Sequence, residues 1–236
     1  MLSECSFAEC SALFMKYDIA LDQTQYALLQ KYAEMLLDES ERQNVTAVRT
    51  LPEIWVRHFL DSAYLLRFLP DSGAVLDIGT GGGIPAIPLA VLRPGLSVTM
   101  LDSELHKIEF CSAAVSALGL SANTVCGRAE ELARDKAYYE QFDFVVSRAM
   151  ASGSMLSELG VPFLKVGGNL ISMKGRTYDT AAERFDSAAA ALSCALLPVF
   201  EYLLEGESKR LIFVHKSAET PAQYPRRFAK IKRAPL

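Results

Sequence analysis

The chain has 236 residues, 50% of them hydrophobic and 22% charged, so it is ordinary globular material with room for one large domain or a domain with an extension. No apolar stretch approaches the length of a transmembrane helix, and Met1 to Cys10 carries Glu4 and Glu9 with no basic leader, so a cytoplasmic protein without a membrane partner is expected. The net charge of -4 argues against a generally polyanion-seeking surface, and five scattered cysteines without a C-x-x-C pair argue for reduced thiols and against a metal centre.

The first third reads as helical. Gln23 to Gln43 repeats apolar residues at Tyr26, Leu29, Ala33, Leu36 and Leu37, with Asp22 as a plausible N-cap. Asn44-Val45-Thr46 interrupts it, and a second helix is expected from Pro52 to Phe68. That helix contains Arg57-His58-Phe59-Leu60-Asp61-Ser62, in which His58 and Asp61 share a face and can pair or meet a ligand together. Pro70-Asp71-Ser72-Gly73 closes the segment, so residues 1–72 are expected to form a helical extension of a domain spanning 73–236.

Strands and helices alternate from there. Ala74 to Ile78 is a buried strand; Ser97 to Leu101 is a second, ending at Asp102; Glu104 to Leu118 is a helix; Asn123 to Cys126 is a third strand. Phe142 to Val146 is a fourth, Asn169 to Met173 a fifth after a turn at Gly167-Gly168, Ala181 to Ser193 a helix, and Leu211 to His215 a last strand. Such alternation means an α/β fold with helices on both faces of a parallel sheet. The closing stretch, Tyr224 to Leu236, holds Arg226, Arg227, Lys230, Lys232 and Arg233 without an acid, a basic tail on an acidic body and a candidate anion-binding element.

The chemistry of a doubly wound sheet lies beyond the carboxyl ends of its strands. After the first strand comes Gly79-Thr80-Gly81-Gly82-Gly83-Ile84-Pro85, in which glycines permit close backbone approach and positive φ, and Pro85 suits the first position of the next helix. Two cofactors compete for this loop. Gly81-x-Gly83-x-x-Ala86, with Asp102 as a ribose-binding acid, fits a dinucleotide fingerprint and hence an NAD-dependent oxidoreductase. Asp77-x-Gly79-x-Gly81-x-Gly83, with an acid inside the strand, is similar to the first motif of S-adenosylmethionine-dependent methyltransferases. Arg128-Ala129-Glu130 follows the third strand, where Ala129 and Glu130 can bracket an adenine, and Arg148 in Ser147-Arg148-Ala149-Met150 is a charge at a strand end that should face the cleft. No covalent nucleophile or N/D-P-P-Y pattern stands there, which suits an acceptor atom with a free lone pair, attacked by positioning alone. A non-catalytic RNA-binding assembly module is the third reading.

Taken in order, these segments resemble one family: the bacterial small-subunit ribosomal RNA guanine-N7 methyltransferases of the GidB (RsmG) type. The likeness runs over Asn44-Val45-Thr46, Arg57 to Ser62, the glycine loop, Leu101-Asp102-Ser103, Arg128-Ala129-Glu130, Phe142-Asp143, Ser147-Arg148-Ala149, Lys174-Gly175 and Tyr224-Pro225-Arg226-Arg227 with Pro235-Leu236. It implies a Rossmann-like class I S-adenosylmethionine-dependent methyltransferase fold, with a mostly parallel seven-stranded sheet and an N-terminal helical extension. It also implies S-adenosylmethionine as donor and a guanine of 16S ribosomal RNA as acceptor, met naked, in the 30S subunit or in an assembly intermediate, by a monomeric enzyme. Cofactor contacts then fall to Gly79, Gly81, Gly83, Ile84, Asp102, Ala129, Glu130 and Arg148. His58, Asp61 and Lys174 become cleft residues, and Lys174 with the five cations of the tail become RNA contacts. Gly82 stands where alanine or proline is common in the family, and Glu104-Leu105-His106-Lys107 replaces a more basic stretch.

Overall fold

The computed structural model describes residues 2, 4–43, 45–148, 150–175 and 183–236. Asn44, Ala149 and the first two residues of the helix expected from Ala181 lie outside the described residues. Helix α1 (Phe7–Met15) and helix α2 (Gln23–Arg42) each begin at a reciprocal cap: Ser6 with Glu9, and Asp22 with Gln25, whose backbone N–H donates to the Asp22 carboxylate at 2.8 Å. The expected second helix runs as four consecutive pieces, α3 (Leu51–Ile54), a π-helical stretch Trp55–Leu60, α4 (Asp61–Tyr64) and a closing 3-10 turn Leu65–Arg67. A π turn inside a helix rephases the residues that follow it, and this one carries His58.

The sheet contains β1 (Gly73–Ile78), β2 (Leu96–Asp102), β3 (Ala122–Cys126), β4 (Phe142–Arg148), β5 (Leu164–Lys174), β6 (Cys194–Leu196), β7 (Phe200–Leu204) and β8 (Glu207–Lys216). Their order is β3-β2-β1-β4-β5-β8-β6, parallel from β3 to β5 and antiparallel at β8. Chain direction across the sheet reverses between β1 and β4, the topological switch where such sheets open a crevice. Helices α5 (Ala86–Leu92), α6 (Leu105–Leu118), α7 (Ala129–Leu132), α8 (Gly153–Gly160), α9 (Phe185–Ala191) and α10 (Phe228–Arg233) complete the fold.

Side chains alternate along β1 as a two-sided strand requires: Val75 joins a core shared with α1, α2 and the π stretch, whereas Leu76 and Ile78 join the opposite core with α8, α9 and α10. The N-terminal helices therefore share their core with one face of the sheet. Among the described residues, no helix is long and apolar enough to cross a membrane.

Several sequence expectations change in detail. Among the described residues the sheet has eight strands rather than seven, because the edge beside β8 is broken: β6 pairs with residues 214–216 and β7 with residues 207–211 of the same strand. The break covers residues 197–199, where Pro198 offers no N–H to a ladder. Gly167-Gly168 is no turn but lies inside β5, where the register against β4 jumps from Phe142↔Leu164 to Phe144↔Asn169. Gly167 takes φ +91°, and a Cβ on Gly168 would stand 2.8 Å from the Asp143 carbonyl oxygen, so both positions of this irregularity select glycine. Pro85 is the N-cap of α5 rather than its first residue.

The basic tail is not uniform. Arg226 donates from Nε to Glu158 Oε1 at 2.7 Å and from Nη2 to Glu158 Oε2 at 2.5 Å, while its backbone N–H donates to the same carboxylate at 2.9 Å. Glu158 is fully buried in α8, so Arg226 is a structural counter-ion whose charge is already matched. Arg227, Lys230, Lys232 and Arg233 are exposed. Removing one partner of a buried pair leaves a desolvated charge; R226A should therefore lower the unfolding free energy by about 3 kcal/mol in urea titrations, whereas K230A should change it by less than about 0.5 kcal/mol.

Candidate active site

The glycine loop is built by forces from three sides. Asp77, fully buried, accepts from Thr80 Oγ1 at 2.7 Å and from the Ala86 backbone N–H at 3.3 Å, tying the loop to the start of α5. Burial pushes its carboxyl up to about 7, opposed by the Thr80 and Ala86 hydrogen bonds. Asp102 accepts from Gly81 N–H at 3.0 Å through one oxygen and from Glu104 N–H at 3.0 Å through the other. Tyr32 of α2 donates to the Gly82 carbonyl at 2.5 Å.

Gly79, Gly81 and Gly83 all take positive φ, between +57° and +88°. A Cβ on Gly79 would meet Met150 at 2.7 Å and one on Gly83 would meet Ile87 at 2.6 Å, so packing excludes side chains there as well. Gly81 differs: nothing lies within 4 Å of its missing Cβ, and a side chain would project into open space. A Cβ on Gly82 would meet Leu36 at 3.1 Å and the Val45 carbonyl at 3.2 Å, a physical reason for glycine at this position.

The loop walls a cleft of about 430 Å³ whose other sides include Asp102, Ser103, Lys107, Arg128, Ala129, Glu130, Arg148 and Phe228. Gly79, Gly81, Ile84, Asp102, Ala129, Glu130 and Arg148 are thus brought together, while Gly83, between the lining residues Gly82 and Ile84, does not itself line the cleft. A second cleft, of about 380 Å³, is lined by Arg57, His58, Asp61, Lys174, Tyr202 and Lys209, and again by Arg148. Arg148 is the wall common to both.

Its guanidinium is held by the helical segment that opens the chain. Nη1 donates to the Arg57 carbonyl at 2.8 Å and lies 3.8 Å from Asp61 Oδ2; Nη2 stands 2.9 Å from His58 Nδ1. A guanidinium only donates, so Nδ1 must accept, the ring proton sits on Nε2, and Nε2–H donates to Thr46 Oγ1 at 2.6 Å. Burial, reinforced by the Arg148 charge, pushes His58 down to about 3, so the imidazole is neutral near pH 7. Asp61 accepts from Tyr202 Oη at 2.9 Å, and burial raises its carboxyl despite Lys209 and Arg148. Lys174 is paired with Glu183 at 2.9 Å and also donates to the Ala151 carbonyl, so it forms a wall of the second cleft with its charge already matched.

An acid before a glycine turn, carboxylates at the end of β2 and in the first turn of α7, and an arginine shared by two clefts are thus gathered at the carboxyl ends of the strands. The family model described as rRNA small subunit methyltransferase G (GidB) matches residues 25–213. The chain belongs to this family. It is 38% identical to the ribosomal RNA small subunit methyltransferase G of Moorella thermoacetica over 223 residues, covering 92% of this chain and 93% of that protein. It is 37% identical to the one from Carboxydothermus hydrogenoformans, covering 97% and 99%. Among solved structures, M. jannaschii TYW2 in complex with AdoMet superposes with TM-score 0.53 at 15% identity over 65% of this chain and 73% of that one. TrmN from Thermus thermophilus does so with TM-score 0.52 at 21% identity over 69% and 53%. These structural likenesses establish the methyltransferase fold.

Tyr32, Tyr202, Lys209 and Phe228 carry no functional signal in the sequence, and Thr46 stands out there only as part of Asn44-Val45-Thr46. Tyr32 sits at helical spacing between Leu29 and Leu36, a readable signal for burial though not for its hydrogen bond. Tyr202 lies on β7, a strand whose edge position and exposed alternate residues blur its pattern.

The buried neutral His58 has a consequence for acid stability. Between pH 6.5 and about 3 an unfolded chain binds a proton at this residue that the native protein refuses, so this contribution lowers stability as pH falls. Asp77 acts in the opposite sense between about pH 7 and 3.8, where the native carboxyl is the better proton binder. H58Q should therefore lose about 2 kcal/mol less than wild type between pH 7 and pH 4.5, measured by urea unfolding at each pH. Equal losses would show that the native imidazole protonates normally.

Proposed function

We propose that the protein transfers a methyl group from S-adenosylmethionine to the N7 atom of a guanine in 16S ribosomal RNA. The observation that carries this reading is the pair of clefts sharing Arg148, one built on a glycine loop with open space at Gly81. Membership in the rRNA small subunit methyltransferase G family supports the RNA acceptor and weighs against a dinucleotide-dependent oxidoreductase and a non-catalytic module. The solved TYW2 structure with AdoMet supports the donor as one that this fold accommodates.

The residues present suit that donor. Gly79, Gly81 and Ile84 would line its path with little side-chain bulk, and Gly83 would hold the turn. Asp102 and Glu130 supply carboxylates for hydroxyl and amine donors, and Ala129 borders the same space. Bound S-adenosylmethionine supplies an electrophilic methyl on a sulfonium. A guanine N7 has its own lone pair, so the protein needs to orient the two reactants and keep water away rather than remove a proton. A neutral His58 whose nitrogens are both engaged fits that requirement, because it orients Arg148 and leaves no free base. On this reading, 73–236 is the donor-binding domain and 1–72 the extension that shapes the acceptor side.

A polyanionic partner would meet the exposed Arg227, Lys230, Lys232 and Arg233, which position phosphates without reading sequence. Lys174, already paired, would border the base rather than the backbone. Labelled S-adenosylmethionine with 30S subunits, assembly intermediates or free 16S RNA should label one guanine at N7, and G81D should abolish labelling by filling the open space. Labelled pyrimidine, or no RNA product from any of the three, would overturn the assignment. Replacing the four exposed cations by alanine should reduce the log–log salt slope of RNA affinity by roughly 0.7 to 0.9 per lost contact, whereas an unchanged slope would leave the tail outside the RNA interface.

A further inference from the structure

The segment after β8 crosses to the cleft and is tied down at three points. Arg226 pairs with Glu158, the Pro225 carbonyl accepts from Arg134 Nη2 at 2.5 Å, and Ile231 is fully buried in the core beside α8. Between these ties stands Phe228, the only residue of the closing segment that lines the glycine-loop cleft among the described residues. The Arg128 guanidinium carbon lies 4.9 Å from its ring centroid, and Arg128 Nε reaches Glu130 Oε1 at 3.1 Å. An aromatic ring, a guanidinium plane and a carboxylate thus converge where the β3–α7 connection enters the cleft.

A phenylalanine serving only to close a core would be covered on all sides, as Ile231 is. Phe228 packs in part against the core beside α8 and in part under the Arg128 guanidinium, yet it keeps intermediate exposure and lines the cleft. A flat aromatic wall beside hydrogen-bonding groups suits a flat heteroaromatic ring that carries donors on its edge. We propose that Phe228 is a positioning residue for the purine of the methyl donor, with the closing segment supplying the wall against which that ring packs. The inference rests on the donor assignment made above, and it moves part of the donor site to a stretch whose sequence looks only basic. Its anchors then have a purpose beyond stability: Arg226 and Ile231 hold Phe228 at the cleft.

Calorimetric binding of S-adenosylhomocysteine and of 5′-methylthioadenosine to the full chain tests this, since the two ligands share adenosine and differ in the amino-acid arm. F228A should weaken both by the same factor, about tenfold for loss of one aromatic stacking partner, and F228W should restore both. F228L keeps apolar bulk without a flat face; it should show the same loss with an unliganded melting temperature near that of wild type, separating stacking from folding. Unchanged affinity, or a loss confined to S-adenosylhomocysteine, would overturn the inference while leaving the donor assignment standing. Wild-type protein that binds neither ligand would overturn the donor assignment itself.

Discussion

The structure depends on holding three positive-φ glycines within five residues in one shape. Such backbone is entropically expensive to order, and within the loop only the Thr80 carbonyl, accepting from Gly83 N–H at 2.9 Å and Ile84 N–H at 3.2 Å, closes a turn among the described residues. Support comes from outside: Asp77 beneath, Asp102 beside, Tyr32 behind, and the Leu101 carbonyl accepting from both Gly79 N–H and Thr80 N–H. Cys111 adds a weak donor to the Gly81 carbonyl, and burial raises its thiol so that it stays protonated. These groups lie on four elements, Leu101 and Asp102 both on β2, so the packing of α2, β1, β2 and α6 together supports the form of the loop. That packing makes the N-terminal helices part of the site rather than an appendage, for Tyr32 belongs to α2.

Arg148 extends the same logic to the second cleft. A guanidinium at a strand end must satisfy several donors in a partly buried place, and its position is set by whichever acceptors are nearest. Here they are a main-chain carbonyl, a neutral imidazole and a carboxylate, all from residues 57–61 on the helical segment with the π turn. The ring can accept because it is neutral, and it stays neutral because it is buried beside the cation it serves. The arrangement is self-consistent: protonating His58 would remove the acceptor and place two cations in contact. Burial therefore does chemical work through Arg148, fixing one tautomer and one orientation.

Much of this was readable from the chain. Asp22 as a cap, Asp77 ahead of the glycines, Asp102 at the end of β2 and Arg148 at the end of β4 all follow from local pattern, because a strand end in a parallel sheet has only one place to face. What could not be read were contacts whose partners lie far apart: Tyr32 with Gly82, Tyr202 with Asp61, Arg226 with Glu158. Their spacing in sequence carries no period. The broken edge at β6 and β7 is hidden for another reason: β7 alternates in burial, but Phe200 and Leu203 are exposed apolar residues, so the hydropathy pattern does not show the alternation. Asp102 combines a readable position with unreadable partners. Its identity as a cleft carboxylate holds, yet both oxygens already accept backbone N–H groups, so any ligand contact must share them.

The closing segment shows how one composition can serve three roles. Arg226 and Arg227 are adjacent and chemically identical, but one faces a buried carboxylate and the other solvent. Desolvation decides the difference: Glu158 inside the core would be intolerable alone, and the nearest cation is drawn in to match it, giving up its hydration for three charge-assisted hydrogen bonds. The cations that follow have no buried acid to answer and stay hydrated. Once Arg226 is fixed inward, the helical turn after it has little freedom, and Phe228 and Ile231, three apart, fall on the side facing the protein while Lys230 and Lys232 fall away from it. The buried ion pair, together with the Arg134–Pro225 hydrogen bond and buried Ile231, thus fixes which side chains the segment shows to the cleft and which to solvent, a division that a count of its positive charges does not contain.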